Sequence, residues 1–212
     1  MGAKTEKLLA VLKLQPVVPV LIVEDVASAV PLARALVKGG LKAIEITMRT
    51  EAALEAVSRV AQEVEGAVAG AGTILNPAHF AAAVEAGAQF IVSPGTTQEL
   101  LDTARKSDIP LLPGAATASE VMALRQEGYQ VLKFFPAEQA GGAAYLKSLS
   151  SPLAGTMFCP TGGISLKNAK DYLSLPNVIC VGGSWVAPKD LVARGDWDGI
   201  TRLAEEAFAL TA

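Results

Sequence analysis

The chain has 212 residues, of which 51% are hydrophobic and only 18% are charged, so it can bury a large core and is not typical of disordered proteins. The net charge is −3 and the sequence contains no basic cluster, which argues against a nucleic acid partner. No apolar run reaches the ~18 residues that a membrane-spanning helix needs, so we expect no membrane contact.

The N-terminus and the two cysteines indicate the compartment. Residues 1–14 mix charges into an amphipathic pattern and lack the apolar core of a signal peptide. Cys159 and Cys180 lie inside apolar runs, which is typical of buried, reduced thiols. These features predict a cytoplasmic protein.

One pattern repeats along the chain after a first helix predicted at residues 3–13. A short apolar run rich in β-branched or small residues is followed by an amphipathic helical segment, and successive runs begin about 20 to 26 residues apart. Eight such units predict a single (β/α)8 TIM barrel domain over residues 1–212, with the extra N-terminal helix covering the barrel floor. The predicted strands are 17–23, 43–49, 67–73, 90–95, 111–115, 131–137, 157–163 and 178–184.

Several helix boundaries can be predicted from local signals. Asn76 followed by Pro77 begins a helix, because proline fits the first turn. Thr117 and Glu120 have the spacing of a capping box. Helices are expected to end at glycines, which accept the left-handed conformation; these are Gly39-Gly40, Gly87 and Gly128.

Side chains alternate between the two faces of a strand, and this predicts which residues enter the barrel. In the second strand, Glu45, Thr47 and Arg49 share the inward face, while Ile44, Ile46 and Met48 face the helices. In the sixth strand, Lys133 points inward together with Val131 and Phe135. Strands two and six lie on opposite sides of the barrel, so Glu45 and Lys133 can meet across its axis. Such a pair can be purely structural, but polar groups near the strand ends favour a catalytic site.

These inward side chains have the chemistry of a Schiff-base enzyme. A neutral Lys133 amine can attack a ketone, and the resulting imine is an electron sink for cleavage of a neighbouring carbon–carbon bond. Glu45 is the candidate proton shuttle. Arg49 can bind a substrate carboxylate through its planar guanidinium group. Thr73 can hold the same end of the substrate or, equally well, cap the next helix.

Two glycine turns follow the last two predicted strands. Thr161-Gly162-Gly163 ends the seventh strand, and Gly182-Gly183-Ser184 ends the eighth. Glycines let backbone N–H groups approach an anion, and barrels often bind phosphate at these two strand ends. His79 is the only histidine and is expected to be exposed on a helix, so the sequence predicts no metal site and no cofactor.

The motifs around these residues resemble one enzyme family over nearly the whole chain, from about Val17 to the C-terminus. That family is the 2-keto-3-deoxy-6-phosphogluconate (KDPG) aldolases, also called 4-hydroxy-2-oxoglutarate aldolases. KFFPAE together with CPTGG is highly specific for it. The matching motifs are IEITMRT (44–50), GAGT (70–73), SPG (93–95), KFFPAE (133–138), CPTGG (159–163) and GGSW (182–185).

The resemblance implies a function and a set of site residues. Such enzymes are homotrimeric barrels that cleave KDPG to pyruvate and glyceraldehyde 3-phosphate, and many also cleave 4-hydroxy-2-oxoglutarate. Lys133 would form the imine and Glu45 would transfer protons. Arg49 and Thr73 would hold the pyruvyl carboxylate in a pocket lined by Pro94 and Phe135. The phosphate side would be formed by Thr161, Gly162, Gly163, Gly183 and Ser184.

The sequence departs from the family pattern at one place and leaves two other functions open. Ala115-Ala116 stands where a larger apolar residue is usual, which leaves the acceptor-aldehyde preference undecided. One alternative is a phosphosugar epimerase or isomerase, since a phosphate site does not choose a reaction. The other is a non-catalytic phosphate-binding barrel in which Glu45 and Lys133 form a structural pair.

Overall fold

The computed structural model describes residues 2–210, and in this part of the chain helices alternate with short parallel strands. The strands are β1 (Val17–Leu21), β2 (Ala43–Thr47), β3 (Val68–Gly72), β4 (Phe90–Val92), β5 (Leu111–Leu112), β6 (Gly114–Ala115), β7 (Val131–Phe134), β8 (Met157–Pro160) and β9 (Val181–Gly183). The helices are α1 (Ala3–Leu12), α2 (Val26–Lys38), α3 (Ala53–Glu63), α4 (Pro77–Glu85), α5 (Gln98–Lys106), α6 (Ala118–Gln126), α7 (Gly142–Ser148), α8 (Ala169–Leu173), α9 (Lys189–Arg194) and α10 (Trp197–Phe208).

The strands form two parallel sheets. Six of them follow the order β5-β4-β3-β2-β1-β9, and the other three follow the order β6-β7-β8. The two sheets adjoin at both edges. β5 and β6 are separated only by Pro113, and an isolated parallel bridge joins Thr161, after β8, to Gly182 of β9. The described chain is therefore an α/β fold whose parallel strands form two adjoining sheets.

The predicted fifth strand is divided in two. The prediction of one strand at 111–115 is wrong because Pro113 interrupts the ladder between β5 and β6. Proline has no N–H to donate, although its carbonyl still accepts from the N–H of Lys133 at 2.9 Å. The described residues therefore contain nine strand segments, and β5 and β6 together correspond to the single predicted fifth strand.

The other strands end earlier than the sequence predicted. β2 stops at Thr47 instead of residue 49, and the N–H of Arg49 turns back to the Thr47 carbonyl at 2.8 Å. β7 stops at Phe134 and β8 at Pro160, each three residues before its predicted end. The residues beyond these ends form the loops that lead into the helices, and several candidate site residues lie in those loops.

Two apolar clusters follow from strand alternation. Ile44, Ile46, Leu132 and Phe134 pack outward into the large cluster between strands and helices, as predicted. A second, smaller cluster collects inward-facing side chains beneath the site together with two residues of α1. The α1 helix therefore covers this end of the strands, which confirms its predicted role. The smaller cluster consists of Leu8, Leu12, Val18, Ala43, Phe90, Val92, Leu112, Val131, Cys159 and Cys180.

The local helix signals are confirmed. The Asn76 side chain accepts from the N–H of His79 and Pro77 begins α4. Thr117 and Glu120 form the predicted capping box at α6. None of the helices within residues 2–210 combines the length and apolar composition that crossing a membrane requires.

Candidate active site

The predicted meeting of Lys133 and Glu45 is confirmed. Lys133, on β7, donates from Nζ to Glu45 Oε1 on β2 at 3.2 Å. Both residues are buried, with exposures of 5% and 3%. An amine and a carboxylate in direct contact and shielded from water can exchange a proton, which is the first requirement of imine chemistry.

Gly72, at the end of β3, gives the Glu45 carboxylate its space. A Cβ atom at this position would overlap with Oε1 and Cδ of Glu45. The sequence contained this residue within the GAGT motif, but only tertiary contact reveals that it shapes the site. Gly72 is therefore a site residue that the sequence interpretation missed.

An aromatic ring lies beside the lysine. The centroid of the Phe135 ring is 5.4 Å from Lys133 Nζ, within the range of a cation–π contact. In the β-ladder Lys133 is paired with Cys159 of β8, which belongs to the smaller apolar cluster. The amine thus has a carboxylate and a ring close to it and an apolar layer beneath it.

Arg49 and Thr73 come together at the open end of the strands. Arg49 Nε donates to Thr73 Oγ1 at 3.2 Å. Arg49 is exposed in the loop after β2, so its predicted placement on the buried inward face of a strand is wrong. The helix-cap alternative for Thr73 is also wrong, because Asn76 caps α4. Thr73 instead has a φ of +59°, a conformation that non-glycine residues seldom adopt outside special sites.

The turn after β8 presents backbone N–H groups. Gly162 and Gly163 have φ values of +103° and +76°, which only glycine adopts without strain. Among residues 2–210, no hydrogen-bond acceptor is found for the N–H groups of Gly163 and Ile164. Unpaired N–H groups in a left-handed turn form a site suited to an anion.

Gly182 and Gly183, the last two residues of β9, are required for space rather than for an unusual backbone conformation. A Cβ atom on Gly183 would overlap with the Trp185 ring, and one on Gly182 would overlap with Thr161. These two glycines therefore make room for neighbouring side chains, and neither has a positive φ. Ser184, which follows them, is exposed and lines a cleft of about 560 Å³ together with residues of the loop after β1.

The cleft and the ion pair are distinct features. The cleft is lined by Ser184 and by Val20, Ile22 and Lys189, whereas Lys133 and Glu45 are not part of its wall. Pro94 follows β4, and its backbone packs against Gly114 of β6. The structure thus brings most predicted residues to the ends of β2, β3, β7, β8 and β9, with Ser184 at the outer edge.

The histidine lies away from this site. His79 is on α4 and is partly buried, with an Nδ1 atom that has no hydrogen-bond partner, so the expectation of an exposed side chain is wrong. In the part of the chain that the structure describes, no three His, Cys, Asp or Glu side chains are grouped as metal ligands.

Comparisons with known proteins agree on one family. The family model described as KDPG and KHG aldolase matches residues 8–203. The KHG/KDPG aldolase of Escherichia coli K12 is 50% identical over 198 residues, which cover 93% of this chain and 93% of that protein.

Two solved structures have nearly the same fold. One is the KDPG aldolase of Legionella pneumophila with pyruvate captured at low pH as a covalent carbinolamine intermediate; the TM-score is 0.92 at 44% identity, covering 94% of this chain and 97% of that chain. The other is the 2-keto-3-deoxy-6-phosphogluconate aldolase of Zymomonas mobilis ZM4 with 3-phosphoglycerate; the TM-score is 0.91 at 48% identity, covering 95% of each chain.

Proposed function

The chain belongs to the KDPG and KHG aldolase family, and from this premise we propose that it cleaves 2-keto-3-deoxy-6-phosphogluconate to pyruvate and glyceraldehyde 3-phosphate. We propose the same reaction for 4-hydroxy-2-oxoglutarate, which yields pyruvate and glyoxylate, because relatives are named for both substrates. The observation that carries the proposal is the buried contact of 3.2 Å between Lys133 Nζ and Glu45 Oε1.

The first half of the reaction forms the imine. Transfer of a proton from Lys133 to Glu45 leaves a neutral amine, which attacks the C2 carbonyl of the substrate. The carbinolamine then loses its hydroxyl as water, with Glu45 as the proton donor. The Legionella relative captured as a carbinolamine with pyruvate supports this order of events.

The second half breaks the bond between C3 and C4. Glu45, now a carboxylate, accepts the proton of the C4 hydroxyl, and the C3–C4 electron pair moves toward the imine. Glyceraldehyde 3-phosphate leaves and an enamine remains on Lys133. Protonation of C3 and addition of water then release pyruvate and restore the amine.

The two ends of the substrate are assigned to two groups of residues. We assign the pyruvyl carboxylate to Arg49 and Thr73, since their mutual hydrogen bond aligns the guanidinium at the open end of β2 and β3. Pro94 and Phe135 are assigned to the apolar side of this pocket. The phosphate is assigned to the two turns, Thr161-Gly162-Gly163 and Gly183-Ser184, and the Zymomonas relative with 3-phosphoglycerate supports a phosphorylated ligand.

The two alternatives that the sequence left open are contradicted by family membership. An aldolase is a carbon–carbon lyase, and neither a phosphosugar isomerase nor a non-catalytic barrel belongs to this class. The buried ion pair is therefore interpreted as catalytic rather than structural.

We also propose that residues 1–212 form one closed eight-stranded barrel and that three copies assemble. Closure is supported at two places where the two sheets lie next to each other. One is the short break at Pro113, and the other is the bridge from Thr161 to Gly182. Apolar side chains exposed to solvent, such as Leu75 and Met122, are compatible with subunit contacts. The mass in solution, measured by sedimentation equilibrium, tests the trimer. The cytoplasmic location stays a prediction.

The proposed function is tested by following pyruvate release from KDPG with the wild type and Lys133→Ala. We expect cleavage by the wild type and a loss of kcat of about a thousandfold or more in the variant, because the covalent route is removed. Lys147→Ala, which removes an exposed lysine on α7, is the matched control and should retain full activity. A Lys133→Ala protein that is folded and cleaves KDPG at the wild-type rate contradicts the proposal.

A further inference from the structure

The last residue of the KFFPAE motif, Glu138, makes a contact that the proposed mechanism does not use. Its side chain lies beside Tyr172 of α8, and the Tyr172 hydroxyl donates to Glu138 Oε1. Tyr172 is only 1% exposed. Burial raises the pKa of Tyr172, and the hydrogen bond to Glu138 raises it further, so the hydroxyl stays a neutral donor at neutral pH.

Glu138 is also fixed against the turn after β8. Its N–H donates to the Gly162 carbonyl at 3.1 Å, and the N–H of Ala137 donates to the Thr161 carbonyl at 2.8 Å. The side chain fills the space above Gly163, where a Cβ atom would lie 2.6 Å from Glu138 Cγ. Movement of Glu138 therefore displaces the turn.

A second anchor holds the far side of the same turn. Asn168 Oδ1 accepts from the N–H of Ser165 at 2.8 Å, and Asn168 Nδ2 donates to the Gly163 carbonyl at 3.2 Å. The carbonyls of Thr161, Gly162 and Gly163 are thus all engaged. Within the described residues, the N–H groups of Gly163 and Ile164 have no hydrogen-bond acceptor, and they point to this turn as a donor site suited to an anion.

Glu138 lies close in sequence to Lys133, the lysine assigned to the imine. Glu138 lies five residues after Lys133. In the same segment, Phe135 Cδ2 lies 3.3 Å from the position that a Cβ atom on Gly162 would take. The segment 133–138 therefore connects the reacting amine to the turn, and the tie between Glu138 and Tyr172 fixes its outer end to α8.

We propose that Glu138 and Tyr172 are positioning residues that hold the Gly162-Gly163 turn at the distance from Lys133 that a phosphorylated six-carbon substrate requires. They thereby favour phosphorylated over unphosphorylated substrates. This inference rests on the proposed function. A purely structural role for the pair would instead stabilise α8 and affect all substrates alike.

The test compares kinetics of Tyr172→Phe with KDPG and with 4-hydroxy-2-oxoglutarate, which has no phosphate. Loss of one hydrogen bond to a charged acceptor should raise KM for KDPG about tenfold, with kcat and the constants for 4-hydroxy-2-oxoglutarate changed by less than about twofold. Inhibition by inorganic phosphate should weaken by about the same factor. Tyr145→Phe is the matched control, because no hydrogen bond of its hydroxyl is found within residues 2–210.

Two variants of the acceptor complete the design. Glu138→Gln keeps an oxygen that can accept from Tyr172 and should resemble the wild type, whereas Glu138→Ala should resemble Tyr172→Phe and serves in its place if that variant does not fold. An unchanged KM for KDPG, or an equal rise in KM for both substrates, overturns the inference. A wild type that cleaves neither substrate would instead refute the proposed function itself.

Discussion

The two ends of the strand interior differ in chemistry although the same strands build them. The smaller apolar cluster, together with the α1 residues that cover it, is called the floor. On β7, Val131 belongs to the floor and Lys133, two residues later, belongs to the site. On β2, Ala43 and Glu45 divide in the same way. Side chains two residues apart point to the same face, so one step along the strand changes the interior from apolar to charged. The floor therefore serves folding, and the outer layer serves chemistry.

The floor is sealed and the outer layer is open. Leu8 and Leu12 of α1 close the floor, where Leu12 has no exposed surface. At the other end, Arg49 and Ser184 are exposed in loops. Because the ion pair lies in the outer layer and the apolar side chains lie in the floor, changes in the two layers should separate catalysis from stability.

The sharpest separation comes from two glycines on β3. A Cβ atom on Gly72 would overlap with the Glu45 carboxylate, and one on Gly70 would overlap with the Phe90 ring in the floor. We expect Gly72→Ala to lower kcat about a hundredfold by displacing the proton shuttle. Gly70→Ala should cost about 1–3 kcal/mol of unfolding free energy through overpacking and leave kcat nearly intact. Steady-state kinetics and denaturant titration measure both, and equal effects of the two variants on kcat would erase the distinction.

A cavity in the floor tests the same separation from the other side. Leu12→Ala removes a fully buried side chain and should lower the unfolding free energy by about 2–5 kcal/mol. Because Leu12 is in the layer below the ion pair, kcat of the folded fraction should stay within about twofold of the wild type. Denaturant unfolding and assays at low temperature check this, and a large loss of kcat would mean that floor and site are coupled.

The smallest effect on activity is expected from treatment of the two buried thiols in the floor with an alkylating reagent. A hydrogen bond with Cys159, together with burial, raises the pKa of the Cys180 thiol. Since the thiolate is the reactive form, iodoacetamide should leave Cys159 and Cys180 of the native protein unmodified while activity is unchanged. Unfolded protein in guanidinium chloride is the positive control. Rapid alkylation of the native protein would show that the floor opens readily.

Strand alternation makes the central pair predictable from sequence. Features that depend on tertiary contacts or on local backbone turns are not predictable in this way. Glu45 and Lys133 were found because charged residues are rare on an inward strand face. Arg49 was misplaced because the strand end at Thr47 depends on a local backbone turn. Pro113 was included in a strand although proline cannot donate to its ladder. The contact between Glu138 and Tyr172 joins residues 34 apart, and no local pattern reports it.

The most direct test of the central claim is mass spectrometry after incubation with pyruvate and borohydride. Reduction converts an imine into a stable secondary amine, which adds one reduced pyruvyl group to the chain. The account predicts a single adduct on the peptide that contains Lys133, and none in Lys133→Ala. An adduct on another lysine, or no adduct in a protein that cleaves KDPG, would contradict it.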